Sequence, residues 1–283
     1  MKNINSIFLI IFTLFGCEEV IDWPVASDEI RLVVEGRITN ELKTHQIKLT
    51  ETADYFNPAA PTPVEGATVI VFDGDNNIPF VESSPGVYQS SPFAGEVGRT
   101  YDLSIRLASP LAKETDFTAS STMLLPASLD SMSAVNDIYN EDDPEEIPVV
   151  FTRLAFWGVG NLDQENSYMA EVYVNDQLET DTINNVIVFG DDFIGEEFTD
   201  FAFYDIDEPS ATGGDSITLV MHVVENEFVD FYDQLLTESE LRDPFGLSSP
   251  PANVSTNISG SALGYFYVSS VDTVHAFVQD DLQ

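Results

Sequence analysis

The sequence predicts a mainly β fold with one amphipathic helix. Short runs of β-branched and aromatic residues alternate with turn residues along most of the chain, which is typical of half-buried strands. Only one stretch shows helical spacing. Hydrophobic residues make up 43% of the 283 residues, which is enough for one large core or two ordinary ones. We therefore expect two β-rich domains, at residues 29–125 and 126–283.

The first domain is expected to be a β-sandwich, because seven short strands fall within about 95 residues. These strands are predicted at 31–39, 46–50, 67–72, 79–83, 87–90, 100–107 and 116–123. Residues 73–77 predict a hairpin turn between two of the strands, since Gly, Asp and Asn tolerate positive φ. Residues 84–86 predict a second turn.

The second domain is expected to begin where residues 125–127 interrupt the strand pattern. Residues 136–148 are too highly charged to pack, so they predict an exposed loop. Further strands are predicted at 149–157, 168–174, 185–189, 201–204, 216–224, 263–271 and 274–278.

One amphipathic helix is expected at about 226–241, because apolar residues recur there three and four positions apart. Those residues are Phe228, Phe231, Tyr232, Leu235 and Leu236. Asn226 is the expected N-cap. An aromatic stripe of this kind covers a hydrophobic core or lines a ligand site, and covering a core is the more common use.

The N-terminus resembles a bacterial lipoprotein signal. Residues 1–16 contain one lysine and an apolar run too short to span a bilayer, and Gly16 directly precedes Cys17, the only cysteine of the chain. We expect cleavage before Cys17 and lipidation of its thiol, with residues 17–28 as the lipidated tether, because several acyl chains make a stable membrane anchor. Phe15 departs from the usual pattern, and an ordinary secretory leader that contains a cysteine is the alternative.

The charge of the chain limits its partners. A formal net charge of −39 excludes nucleic acid and anionic lipid as main partners, because both need a positive surface. The charge favours a cationic ligand or metal, or it serves only to keep an extracytoplasmic protein soluble in salt. The second explanation is simpler, because the acidic residues are spread along the whole chain.

No cofactor or specific metal site is expected. Acidic clusters at 142–146 and 191–197 offer oxygen ligands for weak surface calcium, but solvated charge is the preferred explanation, because a metal site needs convergent geometry that spacing alone does not show. The three histidines, His45, His222 and His275, are too widely spaced for a zinc motif.

An enzyme is not expected either. Residues 214–217 and 272–275 superficially resemble the serine and Asp-x-x-His blocks of GDSL-type esterases. No helix is predicted after Ser216, however, and His275 falls in a predicted strand, so a hydrolase is only a remote alternative.

A candidate recognition loop contains Tyr55 and Phe56, two adjacent aromatic residues in a long Pro-rich segment. Aromatic side chains supply a large contact area in binding surfaces. Packing of this loop onto the neighbouring domain would explain the two rings as well.

Six segments, taken in order, resemble the domain of unknown function 4249 family of Bacteroidota lipoproteins. They are residues 17–19, 32–40, 63–69, 86–88, 97–101 and 263–266. The resemblance implies a lipid-anchored outer-membrane protein whose N-terminal domain is an immunoglobulin-like or carboxypeptidase-regulatory-like sandwich. It also implies frequent pairing with the gene of a TonB-dependent transporter, and it implies no catalytic residues.

Acidic residues after an acylated cysteine resemble the signal that sends Bacteroidota lipoproteins to the outer face of the outer membrane. Glu18, Glu19 and Asp22 fit this export signal. We expect an accessory or binding protein that faces the cell exterior and acts with a TonB-dependent transporter in capture of an unidentified nutrient. The alternative is a structural or adhesive surface lipoprotein that has no transporter partner.

Overall fold

The computed structural model describes residues 29–53, 60–139, 149–160, 167–183, 185–190, 197–206, 211–240 and 254–280. Within these ranges the chain is mainly β, as predicted, and contains one helix, α1 (Asn226–Glu240). The first seven strands are β1 (Leu32–Thr39), β2 (Gln46–Glu51), β3 (Thr68–Phe72), β4 (Asn77–Ser84), β5 (Val87–Gln89), β6 (Thr100–Leu111) and β7 (Glu114–Thr122). The next five are β8 (Ser128–Tyr139), β9 (Val149–Val159), β10 (Ser167–Val174), β11 (Gln177–Leu178) and β12 (Ile187–Gly190). The last four are β13 (Glu197–Ile206), β14 (Ser216–Val224), β15 (Leu263–Phe277) and β16 (Gln279–Asp280).

The described strands form two sheets. Twelve strands make a large mixed sheet with the order β11-β10-β14-β15-β1-β2-β5-β4-β3-β6-β7, and β12 also pairs with β10. The other four form the order β13-β9-β8-β16. In the large sheet β1 and β15 are parallel, with Val33 opposite Leu263 and Thr39 opposite Ser269. The sheet therefore continues from the first predicted domain into the second, and the domain limits at 29–125 and 126–283 stay a prediction.

The strands from β1 to β7 enclose the first hydrophobic core. Alternate residues of β1 and β2, such as Leu32, Val34 and Ile47, are fully buried in it. The sheet curls until β7 contacts β15, where the backbone N–H of Val268 donates to Ser121 Oγ at 3.1 Å. An immunoglobulin-like sandwich is not confirmed. The strands from β1 to β7 are all hydrogen-bonded neighbours within one sheet.

A second core lies between the large sheet and the four-stranded sheet. It contains Tyr168 and Val172 of β10, Leu219 of β14, and Leu154 and Phe156 of β9. Strand β15 serves both cores with one face, because Phe266 and Val268 pack in the first and Val274 and Ala276 pack against the second. This shared strand fixes the two cores relative to each other.

The two predicted hairpin turns are confirmed. Between β3 and β4 the backbone N–H of Asp73 donates to the carbonyl of Asn76 at 3.1 Å, and Gly74 has a φ of 96°. Gly86, between β4 and β5, has a φ of 71°. Both glycines adopt the left-handed conformation that the turn chemistry requires.

The predicted loop at 136–148 is wrong in its first four residues, because β8 continues to Tyr139. Asn136 is buried, and its side-chain oxygen accepts a hydrogen bond from Thr152 Oγ1 of β9 at 2.8 Å. The remaining residues, 140–148, lie outside the described part of the chain. A buried polar residue is stable in this strand because a residue on the neighbouring strand hydrogen-bonds to its side chain.

Strand β15 is also continuous where two strands were predicted. The carboxylate of Asp272 accepts from the backbone N–H of Leu129 at 2.8 Å. Pairing with β14 continues from Ser270 to Phe277. The polar residues at 272 and 273 therefore do not end the strand.

The amphipathic helix is confirmed, and it begins at Asn226. Its aromatic stripe covers a third hydrophobic cluster, in which Phe228 and Tyr232 pack with Met169, Val224 and Tyr265. These partners lie on the face of the large sheet opposite the first two cores, which we call the outer face. The described part of the chain contains no helix with the length and hydrophobicity of a membrane span.

Candidate functional site

The site residues predicted from the sequence lie outside the described residues. They are Cys17, Glu18, Glu19, Asp22, Tyr55 and Phe56. The acidic clusters at 142–146 and 191–196 lie outside them as well. The lipidation site, the export signal and the recognition loop therefore stay predictions, and the described residues point to other features.

The residues of the esterase-like blocks are not assembled into a catalytic site. His275 Nδ1 lies 2.8 Å from Thr218 Oγ1, whereas Ser216 is opposite Phe277 in the β14–β15 ladder. Asp272 faces the second core, because its carboxylate binds the backbone of Leu129. Successive side chains of a strand point to opposite faces, so the side chains of Asp272 and His275 lie on different sides of the sheet.

The three histidines are also apart. His45 and His222 are buried, and His275 is exposed. Among the described residues, no group of three or more His, Cys, Asp or Glu side chains is arranged to hold a metal ion.

An ion cluster lies on the outer face, formed by Arg37, Glu171, Tyr173 and His222. Arg37 Nη1 donates to Glu171 Oε1, and the Tyr173 hydroxyl donates to Glu171 Oε2 at 2.8 Å. His222 Nε2 lies 3.5 Å from the same oxygen, which is an electrostatic contact with no hydrogen bond. The other ring nitrogen of His222 lies 2.9 Å from Ser269 Oγ.

The charges of this cluster depend on one another. Burial disfavours ionisation of Glu171, but contacts with His222 and Arg37 outweigh it and hold the pKa of Glu171 well below its usual range. Burial and the adjacent carboxylate raise the pKa of Tyr173 to about 12. Since each polar group faces a partner of the fold, the cluster is a structural connection.

An acidic groove lies between α1 and the segment before β15. The groove has a volume of about 560 Å³, and Glu225, Glu227, Asp230, Asn257 and Tyr265 are among its lining residues. Glu227 and Asp230 are exposed on α1. Cavities of this volume accommodate small organic ligands.

Hydrogen bonds fix both walls of the acidic groove. Gln234 Nε2 donates to Ser255 Oγ at 2.9 Å, and the Ser255 backbone N–H donates to Gln234 Oε1 at 3.0 Å. Asn257 Nδ2 donates to the carbonyl of Phe266 at 2.6 Å, and its Oδ1 accepts from the Phe266 N–H at 3.1 Å. The helix is thus tied to the segment, and the segment is tied to β15.

Tyr265 is one of the residues that line the acidic groove. Its ring centroid lies 5.5 Å from that of Phe228 and 4.9 Å from that of Phe231, and the residue is only 8% exposed. Burial and the carboxylates of Glu225, Glu227 and Asp230 raise the pKa of the hydroxyl above its usual range.

The model of a family described as a domain of unknown function, DUF4249, matches residues 18–275. The chain belongs to the DUF4249 family. The first core and the acidic groove lie within the matched residues, and so do all strands except the end of β15 and β16. No curated protein matches this DUF4249 chain.

The solved structures that are similar to this DUF4249 protein include two bacterial adhesins. One is the adhesin InvE of Yersinia pseudotuberculosis, with 15% identity and a TM-score of 0.20, covering 69% of this chain and 56% of that one. The other is a Ca²⁺-stabilized adhesin that helps an Antarctic bacterium reach out and bind ice, with 13% identity and a TM-score of 0.22, covering 89% of this chain and 50% of that one. The chain thus spans about half the length of each of these structures.

Sequence reasoning missed the acidic groove of this DUF4249 protein. The only local signal is the placement of Glu227 and Asp230 three residues apart, which puts both on one side of α1. Other lining residues, such as Ser120, Asn257 and Tyr265, are distant in sequence. Spacing within one segment carries no information about such partners.

Proposed function

We propose that this protein is a lipid-anchored outer-membrane protein that faces the cell exterior and binds a ligand for a TonB-dependent transporter. The acidic groove is the observation that carries the binding role. It is open, its walls are held by hydrogen bonds, and neither histidine nor cysteine lines it. These properties favour binding over covalent catalysis.

The anchor is supported by Cys17 and by the position of the first strand. Strand β1 begins at Leu32, so residues 18–31 would extend at most about 50 Å from a lipid on Cys17. A folded body on such a tether stays close to the bilayer. That position suits a protein that transfers a ligand to a membrane partner.

Replacement of Cys17 tests the anchor. Cys17→Ser removes the thiol that carries the lipid, so we expect the protein to move from the detergent-extractable membrane fraction to the soluble fraction. Ser27→Ala, in the same tether, is the control and should stay with the membrane. Firm membrane attachment of Cys17→Ser would contradict the proposal.

Co-purification tests the transporter partner. After mild detergent extraction, a tag at the C-terminus of the wild-type protein should recover a large β-barrel protein of the outer membrane. Recovery of the anchored protein without a barrel would favour the structural or adhesive alternative.

Protease treatment of intact cells tests the outward orientation. Simultaneous replacement of Glu18, Glu19 and Asp22 by alanine removes the acidic export signal, so we expect protection of the variant from external protease. Wild-type protein should be digested under the same conditions. Equal protection of both proteins would contradict an exterior location.

A further inference from the structure

A second groove lies on the outer face of the large sheet, where it crosses β4, β3, β6 and β7. We call it the Phe72 groove, and its volume is about 500 Å³. One row of paired residues runs through it. Phe72 lies between Asn77 of β4 and Asp102 of β6, and Asp102 is opposite Ser120 of β7. Because neighbouring strands are about 4.8 Å apart, the row extends about 14 Å across the sheet.

The side chains of this row point away from the first core. Successive residues of a strand face opposite sides of the sheet, and Val71 and Leu103, which adjoin Phe72 and Asp102, are buried in the core. Phe72 is 37% exposed. Since the neighbouring lining position on β6 is the short Ser104, no large side chain of that strand covers the ring. Phe72 therefore presents an aromatic surface to the groove.

The segment before β15 borders the Phe72 groove and is tied to β7. The Ser259 N–H donates to the Thr118 carbonyl at 2.7 Å, and the Thr118 N–H donates to Ser259 Oγ at 2.8 Å. Asn257 Nδ2 donates to the Ser120 carbonyl at 3.2 Å. The edge of β7 is thus occupied here, and β3, β4 and β6 each have a strand on both sides. An extended peptide therefore cannot bind in this groove as an added strand.

The polar side chains of the row are available to a ligand. Within the described part of the chain, the side chains of Asn77, Asp102, Ser104 and Ser120 have no hydrogen-bond or ion-pair partner in the fold. They offer an amide, a carboxylate and hydroxyls, which together both donate and accept hydrogen bonds. A ligand with many hydroxyls would match them.

The charge of the lining restricts the class of the ligand further. The described lining contains no lysine or arginine, so an anion would have no counter-charge in a protein whose net charge is already −39. A multivalent cation would meet only one carboxylate, that of Asp102. A wholly apolar ligand would leave the polar groups of the row unpaired. A saccharide meets all of these conditions, because it is neutral, carries many hydroxyls and has an apolar C–H face that packs on an aromatic ring.

We propose that the Phe72 groove binds a neutral saccharide, with one sugar ring packed against Phe72 and its hydroxyls hydrogen-bonded to Asn77 and Asp102. The Asp102 carboxylate accepts from sugar hydroxyls, and the Asn77 amide both donates and accepts. The groove adjoins the acidic groove, because residues 256–257 line both. The inference requires neither the lipid anchor nor the transporter, and it requires no ligand in the acidic groove.

An array of immobilised neutral oligosaccharides tests this proposal. The array carries α-linked and β-linked oligomers of glucose, galactose, mannose and xylose, and the detergent-solubilised full chain is applied at about 150 mM salt to screen long-range charge. We expect retention on at least one neutral oligosaccharide and no retention on oligogalacturonate, the anionic control. Calorimetric titration with the free form of the retained oligosaccharide then gives its Kd.

Matched variants locate the binding. Phe72→Ala should weaken it at least about tenfold, because the ring that packs on the sugar is lost. Asp102→Ala should weaken it about tenfold through loss of a charged acceptor. Val81→Ala is the apolar control, since Val81 is 68% exposed on β4 and does not line the groove. This control and Glu227→Gln, in the acidic groove, should each change the affinity less than about twofold.

Urea unfolding separates loss of the site from loss of the fold. Phe72 and Asp102 are both exposed, so their variants should keep midpoints close to that of wild type. The proposal would be overturned by no retention on any neutral oligosaccharide, by an unchanged Kd in Phe72→Ala and Asp102→Ala, or by equal weakening in Glu227→Gln. Retention on oligogalacturonate alone would also reject a neutral ligand. Saccharide binding by a protein that recovers no barrel partner would support this site and contradict the transporter.

Discussion

Arg37 and Glu171 form an ion pair across two intervening strands of the large sheet. Arg37 lies on β1 and Glu171 on β10, and β15 and β14 separate these strands. Neighbouring strands are about 4.8 Å apart, so the two long side chains must reach across the outer face to meet. The pair therefore connects the strand that begins the first predicted domain to a strand of the second.

Glu171→Gln should lower the free energy of unfolding by about 2 kcal/mol. The substitution leaves the Arg37 guanidinium without its carboxylate, and it removes the charged acceptor of the Tyr173 hydroxyl. The expected loss is below the roughly 3–5 kcal/mol of a fully buried pair, because the Arg37 side chain is 36% exposed. Urea unfolding of the full chain, followed by circular dichroism, measures the change.

Glu35→Gln is the matched control for that prediction. Glu35 is also on the outer face of β1, but it is exposed and pairs with exposed Lys48 at 3.0 Å. Exposed pairs contribute little, so we expect a change below about 0.5 kcal/mol. Equal losses for the two variants would show that the Arg37–Glu171 connection has no special role.

The protein should lose stability as the pH falls from 7.5 to 5.5. Burial lowers the pKa of His222 in spite of the nearby Glu171. The unfolded chain, with an ordinary histidine pKa of about 6.5, therefore binds this proton first. His222 alone should contribute a loss of about 1 kcal/mol over this interval. The lowered pKa of Glu171 has the same sign, but its effect begins only near its ordinary value of about 4.5.

Urea midpoints at the two pH values test the role of His222. His222→Gln removes the titrating ring and should reduce the pH dependence, while buried His45, whose pKa burial also lowers, maintains part of it. Ser269→Ala is the control, because it removes the partner of His222 Nδ1 but keeps the ring. It should lower stability at both pH values and retain the slope. An unchanged slope in His222→Gln would contradict the assignment.

Local sequence patterns predicted most of the strands and the helix. In β14 the predicted and observed limits are the same, Ser216 and Val224, because residues such as Ile217 and Leu219 alternate regularly into the core. The start of α1 at Asn226 follows from the same kind of local information. In both segments the spacing of the apolar residues indicates which face is buried.

Features that depend on distant partners could not be predicted. The sequence at the end of β8 is typical of a loop. In the folded protein, however, the Thr152 hydroxyl donates a hydrogen bond to the side-chain oxygen of Asn136, so this polar residue is stable in a strand. The parallel pairing of β1 with β15 leaves no local signal, and neither does the ion pair between Arg37 and Glu171. The acidic groove is hidden for the same reason, since Tyr265 joins the acidic residues of α1 only in the folded protein.

Gly264→Ala should strongly destabilise the β1–β15 pairing. Gly264 is opposite Val34 of β1 and has a φ of 87°; an added Cβ would lie 2.1 Å from the Val34 carbonyl oxygen. Because the contact is with backbone, a small side-chain movement cannot relieve it. We expect a loss of at least about 3 kcal/mol in free energy of unfolding, measured by urea denaturation.

Gly98→Ala separates the conformational effect from the steric one. Gly98 has a similar φ of 84°, but an added Cβ would meet nothing within 4 Å. We expect a loss of about 1 kcal/mol, from the left-handed conformation alone. If both variants lost the same amount, close approach of β1 and β15 at Gly264 would not be a constraint.

Phe228→Ala should release α1 from the sheet while both cores remain folded. The Phe228 ring is buried, with its centroid 4.2 Å from that of Tyr267 and 5.5 Å from that of Tyr265. A helix of 15 residues with no basic residue in its last turn is marginal without such packing, and loss of a buried phenylalanine costs about 3 kcal/mol. We expect amide hydrogen exchange to accelerate throughout α1 and to stay slow in β1 and β14.

Phe277→Ala, at a position that is 69% exposed, should leave exchange in α1 unchanged. Retained protection of α1 in Phe228→Ala would mean that the hydrogen bonds between Gln234 and Ser255 hold the helix without its aromatic anchor.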